Sequence, residues 1–205
     1  MSGGAETHDG FFLRIGLGIA GIGLRRDGEV EGGGASTVDT GQSRVIGGGT
    51  AGELSIGGTP ARGLVVSGTI LSHTIAEPTL KRDGSDDVDL GGPLNFGILG
   101  ASVDWYPSPT GGFHAGGTLG IAWAVAETPA GSDFDDIGGA GLGASLGAGY
   151  DWWVGEEWSL GVLGRFSGGA VHGEATAENA AGDEIKASED SVVSALSVMF
   201  SILHH

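Results

Sequence analysis

The chain has no cysteine among its 205 residues, so neither a disulfide framework nor a thiolate metal site can belong to its fold. An absence of cysteine suits an exported protein. Basic residues are also scarce: Lys and Arg number 9 against 26 Asp and Glu, for a formal net charge of -17. Nucleic-acid binding needs clustered cations against phosphate, so this charge balance excludes a nucleic-acid partner. No uninterrupted apolar run approaches the roughly 18 residues of a membrane helix. The opening MSGGAETHDG has no basic stretch leading into an apolar one, so no signal peptide is expected in this chain. Residues 1–10 are expected to be a disordered N-terminal segment of a mature, exported protein.

What the chain has in abundance is glycine, 44 residues, together with a 40% hydrophobic fraction. Collagen would place glycine at every third position, and a disordered polar chain would be less apolar; neither pattern is present. Apolar residues instead recur with period two, separated by Gly, Ala and Ser. In GGFHAGGTLGIAWAVA (111–126) one parity reads Phe113, Leu119, Ile121, Trp123 and Val125, while the other reads His114, Gly116, Thr118, Gly120 and Ala122. The same alternation runs through 139–152, 157–168 and 191–203, which predicts strands. Glycine this frequent would cost a helix about 1 kcal/mol each. Earlier strands are expected at about 11–25, 46–58, 63–76 and 94–106, with a bulge near Gly21, where the apolar parity changes.

Short and long connections alternate. TPAR, PSPTG and VGEE are hairpin turns. The segments at about 26–45, 77–93, 126–138 and 172–190 are expected to be long loops, and they carry most of the acid. An even-stranded meander with one smooth end and one ragged end closes into an all-β, antiparallel up-and-down barrel of eight strands over residues 11–203. The less apolar parity is mostly Gly, Ala and Ser rather than the long polar residues of a water-facing surface. That parity fits a narrow interior, so the apolar parity faces lipid and the fold is a transmembrane β-barrel. A soluble lipocalin-like ligand-binding barrel would be patterned the other way round. Trp105, Tyr106, Phe113, Trp152 and Trp158 all fall beside the short turns and are expected to form membrane-interface anchors. Trp153 has the opposite parity and is a candidate for closing the barrel mouth.

On these features, and on the segments VDWYPSPTGGFHAGGTLGIA and GYDWWVGEEWSLGVLGRF, the chain resembles the small eight-stranded outer-membrane β-barrel proteins. The group is the OmpA-like and OmpW-like one, including myxobacterial-type predicted outer-membrane proteins. The resemblance covers essentially residues 11–203. It implies a bacterial outer-membrane location, termini in the periplasm and the long acidic loops outside the cell. Outer-membrane lipids and the barrel assembly machinery are then the expected partners. Such barrels usually end on an aromatic residue; here Phe200 is followed by Ser-Ile-Leu-His-His.

On the small-residue parity, Arg14, Glu53, Asp104, His114, Asp151 and Arg165 point inward and are expected to form a lumen polar network. Charges in so narrow a space must pair, because an isolated buried charge is costly. The network is expected to plug the lumen and suit the barrel to a structural or surface role. The alternative is a narrow, porin-like conduit for small or apolar solutes, the latter leaving through a lateral opening. Asp104 and Asp151 could instead brace the turns beside them. A barrel-embedded lipid hydrolase would need a Ser–His–acid set. Ser72 and His73 lie on opposite strand faces, as do Ser167 and His172, so no enzyme is expected. DGSDDVD at 83–89 lacks the spacing of a calcium-binding EF-hand, although divalent cations at the acidic loops remain an expectation. No glycine-rich segment is a phosphate or dinucleotide loop, and no cofactor is expected.

Overall fold

The computed structural model describes residues 7–8, 10–32, 36–81, 88–89, 92–126, 137–178 and 184–205. Ten strands follow in chain order: β1 (Gly10–Gly32), β2 (Ser36–Ala61), β3 (Leu64–Ile75), β4 (Thr79–Lys81), β5 (Val88–Asp89), β6 (Leu94–Trp105), β7 (Phe113–Ala126), β8 (Ile137–Trp153), β9 (Trp158–Glu178) and β10 (Glu184–His204). Eight of them, all but the short β4 and β5, pair antiparallel in the order β1-β10-β9-β8-β7-β6-β3-β2, and β2 returns to pair with β1. The sheet is a closed eight-stranded barrel, so around its girdle each of the eight strands is paired on both sides.

Period-two patterning sets the orientation of every strand. On β1, Phe11, Ile15, Leu17 and Ile19 are exposed, while Phe12, Arg14, Ala20, Ile22 and Leu24 are buried. The expected bulge near Gly21 is absent. Register with β10 and β2 runs unbroken through Gly21, and β1's shift against β2 falls between Asp27 and Glu29. The apolar parity changes there because Ile22 and Leu24 fill the interior, where they join Leu71, Ile75, Phe96 and Ile98 in an apolar cluster. An eight-stranded barrel is just wide enough for side chains to fill it.

The connections expected over 26–45 and 172–190 are mostly strand. β1 and β2 extend to Gly32 and from Ser36, and β9 and β10 extend to Glu178 and from Glu184. Acid does not break these arms. Each pairs with a neighbour, and main-chain hydrogen bonds along a ladder do not depend on the side-chain types. β1, β2, β9 and β10 are 23, 26, 21 and 21 residues long, against 12 for β3 and β6. One side of the barrel is therefore a tall wall, and the other is low. Of the connections at 77–93 and 126–138, residues 82–87, 90–91 and 127–136 lie outside the described residues, and with them all of DGSDDVD except Val88 and Asp89.

At the opposite end the turns are tight. β2 and β3 are joined by Arg62 and Gly63 alone; Gly63 has φ +72, and its carbonyl accepts from the Tyr106 N–H at 2.7 Å. An L side chain in that left-handed region costs about 1–2 kcal/mol, and a Cβ there would also press on the Tyr106 carbonyl. Gly63→Ala is expected to lower unfolding stability by at least that amount, measured as a shifted urea midpoint in detergent.

Candidate functional site: the lumen polar network

The interior is built in three layers. At the turn end, Phe12, Val65, Tyr106 and Leu203 form a small apolar cluster. Tyr106 was expected among the interface aromatics, but it is 1% exposed, whereas its neighbour Trp105 is 58% exposed. Parity explains the difference: Tyr106 continues the inward series Ser102, Asp104, so its ring enters the lumen. There its hydroxyl donates to Asp151 Oδ2 at 2.9 Å and accepts from Arg14 Nη2 at 3.1 Å. Phe113, Trp152 and Trp158 lie on the outer face beside the turns, as does Trp105.

Residues from both ends of the chain seal this mouth. His8 was expected to belong to a disordered segment but is fully buried, its ring stacked 3.6 Å from Tyr106. It donates from Nε2 to the Gly111 carbonyl at 2.9 Å. Its Nδ1 therefore accepts, facing His205 Nδ1 at 3.2 Å, while His205 Nε2 lies 3.3 Å from the Ser159 hydroxyl. Trp153 lies over both histidines, with centroids at 4.9 and 5.0 Å, and donates from Nε1 to the Thr110 carbonyl.

Burial pushes the His205 imidazole down to about 3, with His8 adding repulsion, and burial lowers His8 as well. Because both folded values lie below 6.5, the unfolded chain binds protons more readily. The stability these rings contribute is present above about pH 6.5 and declines as pH falls toward 3. An NMR titration should show no His205 transition between pH 8 and 5; a midpoint near 6.5 would rule the contact out.

Above this seal lies the ionic layer, in which all six expected lumen residues meet. Arg165 donates to both carboxylate oxygens of Glu53, from Nε at 2.8 Å and from Nη2 at 2.9 Å. Glu53 also faces Arg14 Nη1 at 3.6 Å, and Arg14 donates onward to Asp104 Oδ2 at 3.3 Å. His114 stands between Asp104 and Asp151, 3.5 Å from each. Asp104 and Asp151 thus serve the lumen network rather than the turns alone. Glu53 is the hub: among the described residues it alone pairs with both guanidinium groups.

Hydroxyls extend the layer around the wall. Ser55 donates to Glu53 and pairs with Thr69, Ser102 joins Thr69 to Thr118, and Ser145 accepts from Arg165. Small neighbours make room for the ions: a Cβ at Gly147 would lie 2.8 Å from the Arg165 side chain. The third layer is the apolar cluster toward the loop end, where His73 stacks on Phe96 at 5.7 Å.

Arg14 and Arg165 are 0% and 1% exposed, so both guanidinium groups are shielded from solvent at mid-height. Ser72 faces outward while His73 faces inward, and exposed His172 pairs with Asp190 at 2.8 Å while Ser167 faces inward. Neither pair forms a nucleophile–base arrangement. Among the described residues no group of three metal-ligating side chains converges.

No family model matches the chain. No curated protein matches it either. Solved structures do. The outer membrane protein OprG from Pseudomonas aeruginosa aligns over 98% of this chain and 99% of its own, with 14% identity and a TM-score of 0.61. The outer membrane protein AlkL, solved in DMPC bilayers, aligns over 100% of this chain and 94% of its own, with 11% identity and a TM-score of 0.56. At such identities the likeness is one of fold, and it extends from end to end. The chain is a closed, eight-stranded antiparallel barrel with the architecture of the small outer-membrane β-barrels.

Proposed function

We propose that this protein is a non-enzymatic barrel of the bacterial outer membrane, with termini in the periplasm, tall strands outside the cell and a plugged lumen. On this reading its role is structural, or that of a surface presented to the medium. The observation that carries it is the ionic layer: two arginines, three carboxylates and a histidine fill the cross-section and bind one another. A conducting pore keeps such charges wet and turned toward the ion path; here they are buried. The outer face supports the membrane setting, with Leu17, Ile19, Leu119, Leu142 and Phe200 exposed on a continuous apolar wall. Trp105, Phe113, Trp152 and Trp158 serve as anchors at its periplasmic boundary.

Planar-bilayer recording tests the plug. The wild-type barrel is expected to insert silently, with no stepwise current. Discrete openings in the wild type, altered by Arg165→Ala, would establish a pore instead.

The apolar upper interior favours a second reading, a conduit for apolar solutes. A solute entering past Leu24 and Phe96 meets apolar walls and then the ionic floor, so it must leave sideways into the bilayer. Uptake of a fluorescent hydrocarbon into proteoliposomes, measured against empty vesicles, distinguishes a conduit from a plug.

A further inference from the structure

A chain so poor in cations sets two exposed arginines side by side. Arg25 of β1 stands directly opposite Arg44 of β2. Like charges directly opposed across a sheet destabilise it. Both arginines are exposed, and neither enters an ion pair among the described residues. Two adjacent exposed guanidinium groups can present their N–H forks together to one anion.

Immediately below this pair, on the same outer face, the apolar wall is indented. Gly23 faces Ser194, and Gly21 faces Leu196, which in turn faces Phe166. These residues line a notch of about 660 Å³, within the roughly 300–1,000 Å³ range of ligand clefts. Packing does not require glycine at either position. A Cβ on Gly21 would meet nothing within 4 Å, and one on Gly23 only the Ser194 hydroxyl at 3.8 Å. Strand geometry puts Gly21 roughly 25 Å up the wall from Phe11, about the height of the apolar band.

We infer that Arg25, Arg44 and the Gly21–Gly23 notch form a binding site for a phosphorylated, acyl-bearing lipid of the outer leaflet. The arginines take the phosphate, and one acyl chain lies in the notch. The inference rests on the membrane reading above, which puts this wall in lipid. Cation above and apolar cleft below match the head-to-tail order of such a lipid along the membrane normal. Arginine forks suit phosphate oxygens bidentately.

The test is native mass spectrometry of the barrel released from phosphatidylcholine nanodiscs doped with phosphatidic acid. The expected wild-type result is retention of phosphatidic acid about tenfold above its share of the bilayer. Arg25→Gln/Arg44→Gln should abolish that enrichment. Gly21→Leu, which fills open space, should reduce it severalfold. Arg62→Gln, at the opposite end of the barrel, should leave it intact. Enrichment that survives both the double variant and Gly21→Leu overturns the site. So does loss of enrichment on adding millimolar inorganic phosphate, because the ligand would then be a free anion. Heat-modifiable gel mobility, measured on each variant, separates a lost site from a lost barrel: a wild type without it overturns the membrane reading itself.

Discussion

Glu53→Gln is expected to destabilise the barrel by about 3–5 kcal/mol, the cost of removing one partner from a buried ion pair. The size follows from where Glu53 sits. It receives two hydrogen bonds from Arg165 and faces Arg14 at 3.6 Å, so a single neutralisation leaves two buried guanidinium groups short of charge. Glutamine keeps the shape and can still accept through one oxygen, which isolates the loss of charge from the loss of volume. Arg14 retains Asp104 and Tyr106, so most of the deficit falls on Arg165. Urea unfolding in detergent micelles measures the effect. Charge reversal at exposed Glu156, in a turn, is the matched control and should change stability by no more than about 0.5 kcal/mol. A Glu53→Gln barrel as stable as wild type would mean that the interior holds water enough to solvate its charges, and the plug would have to be given up.

Leu17→Arg is expected to be nearly as costly, for the opposite reason. Leu17 is 71% exposed and lies about 15 Å above Phe11, close to the middle of an apolar band about 25 Å tall. Arginine on the lipid face at mid-depth costs about 2–4 kcal/mol, falling to about 0–1 kcal/mol near the boundaries. Phe11→Arg, at the band's lower edge, should therefore cost less for its charge, although it also loses an aromatic contact with His204. In a water-soluble barrel the same change at Leu17 would be neutral within about 0.5 kcal/mol. Comparing Leu17→Arg with Leu17→Ala in refolded bilayers separates the charge from the lost side chain. Equal stability of the two would remove lipid from the outer face.

Much of this was legible because a strand has only two faces. Once Leu17 and Phe200 are assigned outward, parity alone sends Arg14, Glu53, Asp104, His114, Asp151 and Arg165 inward, and the structure has them there. Parity does not say which of them touch. The fork between Arg165 and Glu53 spans 112 residues of chain and depends on strand stagger around the barrel. Tyr106 shows the cost of weighing proximity to a turn over parity: its neighbours suggested an anchor, and its alternation with Asp104 placed it in the lumen. Ile22 and Leu24 show the converse. Apolar residues on the inward parity looked like a slip in register, because an interior that changes from ionic to apolar with height leaves no mark in period two. His8 carried no signal at all, since nothing local to MSGGAETHDG announces a ring that stacks on Tyr106 about a hundred residues away.

The tall wall has a consequence of its own. A closed barrel abolishes sheet edges, but a wall that rises on one side only restores them above the rim. Residues 36–39 and 42–43 of β2 pair with β1 alone, and residues 173–178 of β9 pair with β10 alone, among the described residues. Each is an edge strand offering unpaired N–H and C=O groups to any extended chain that passes.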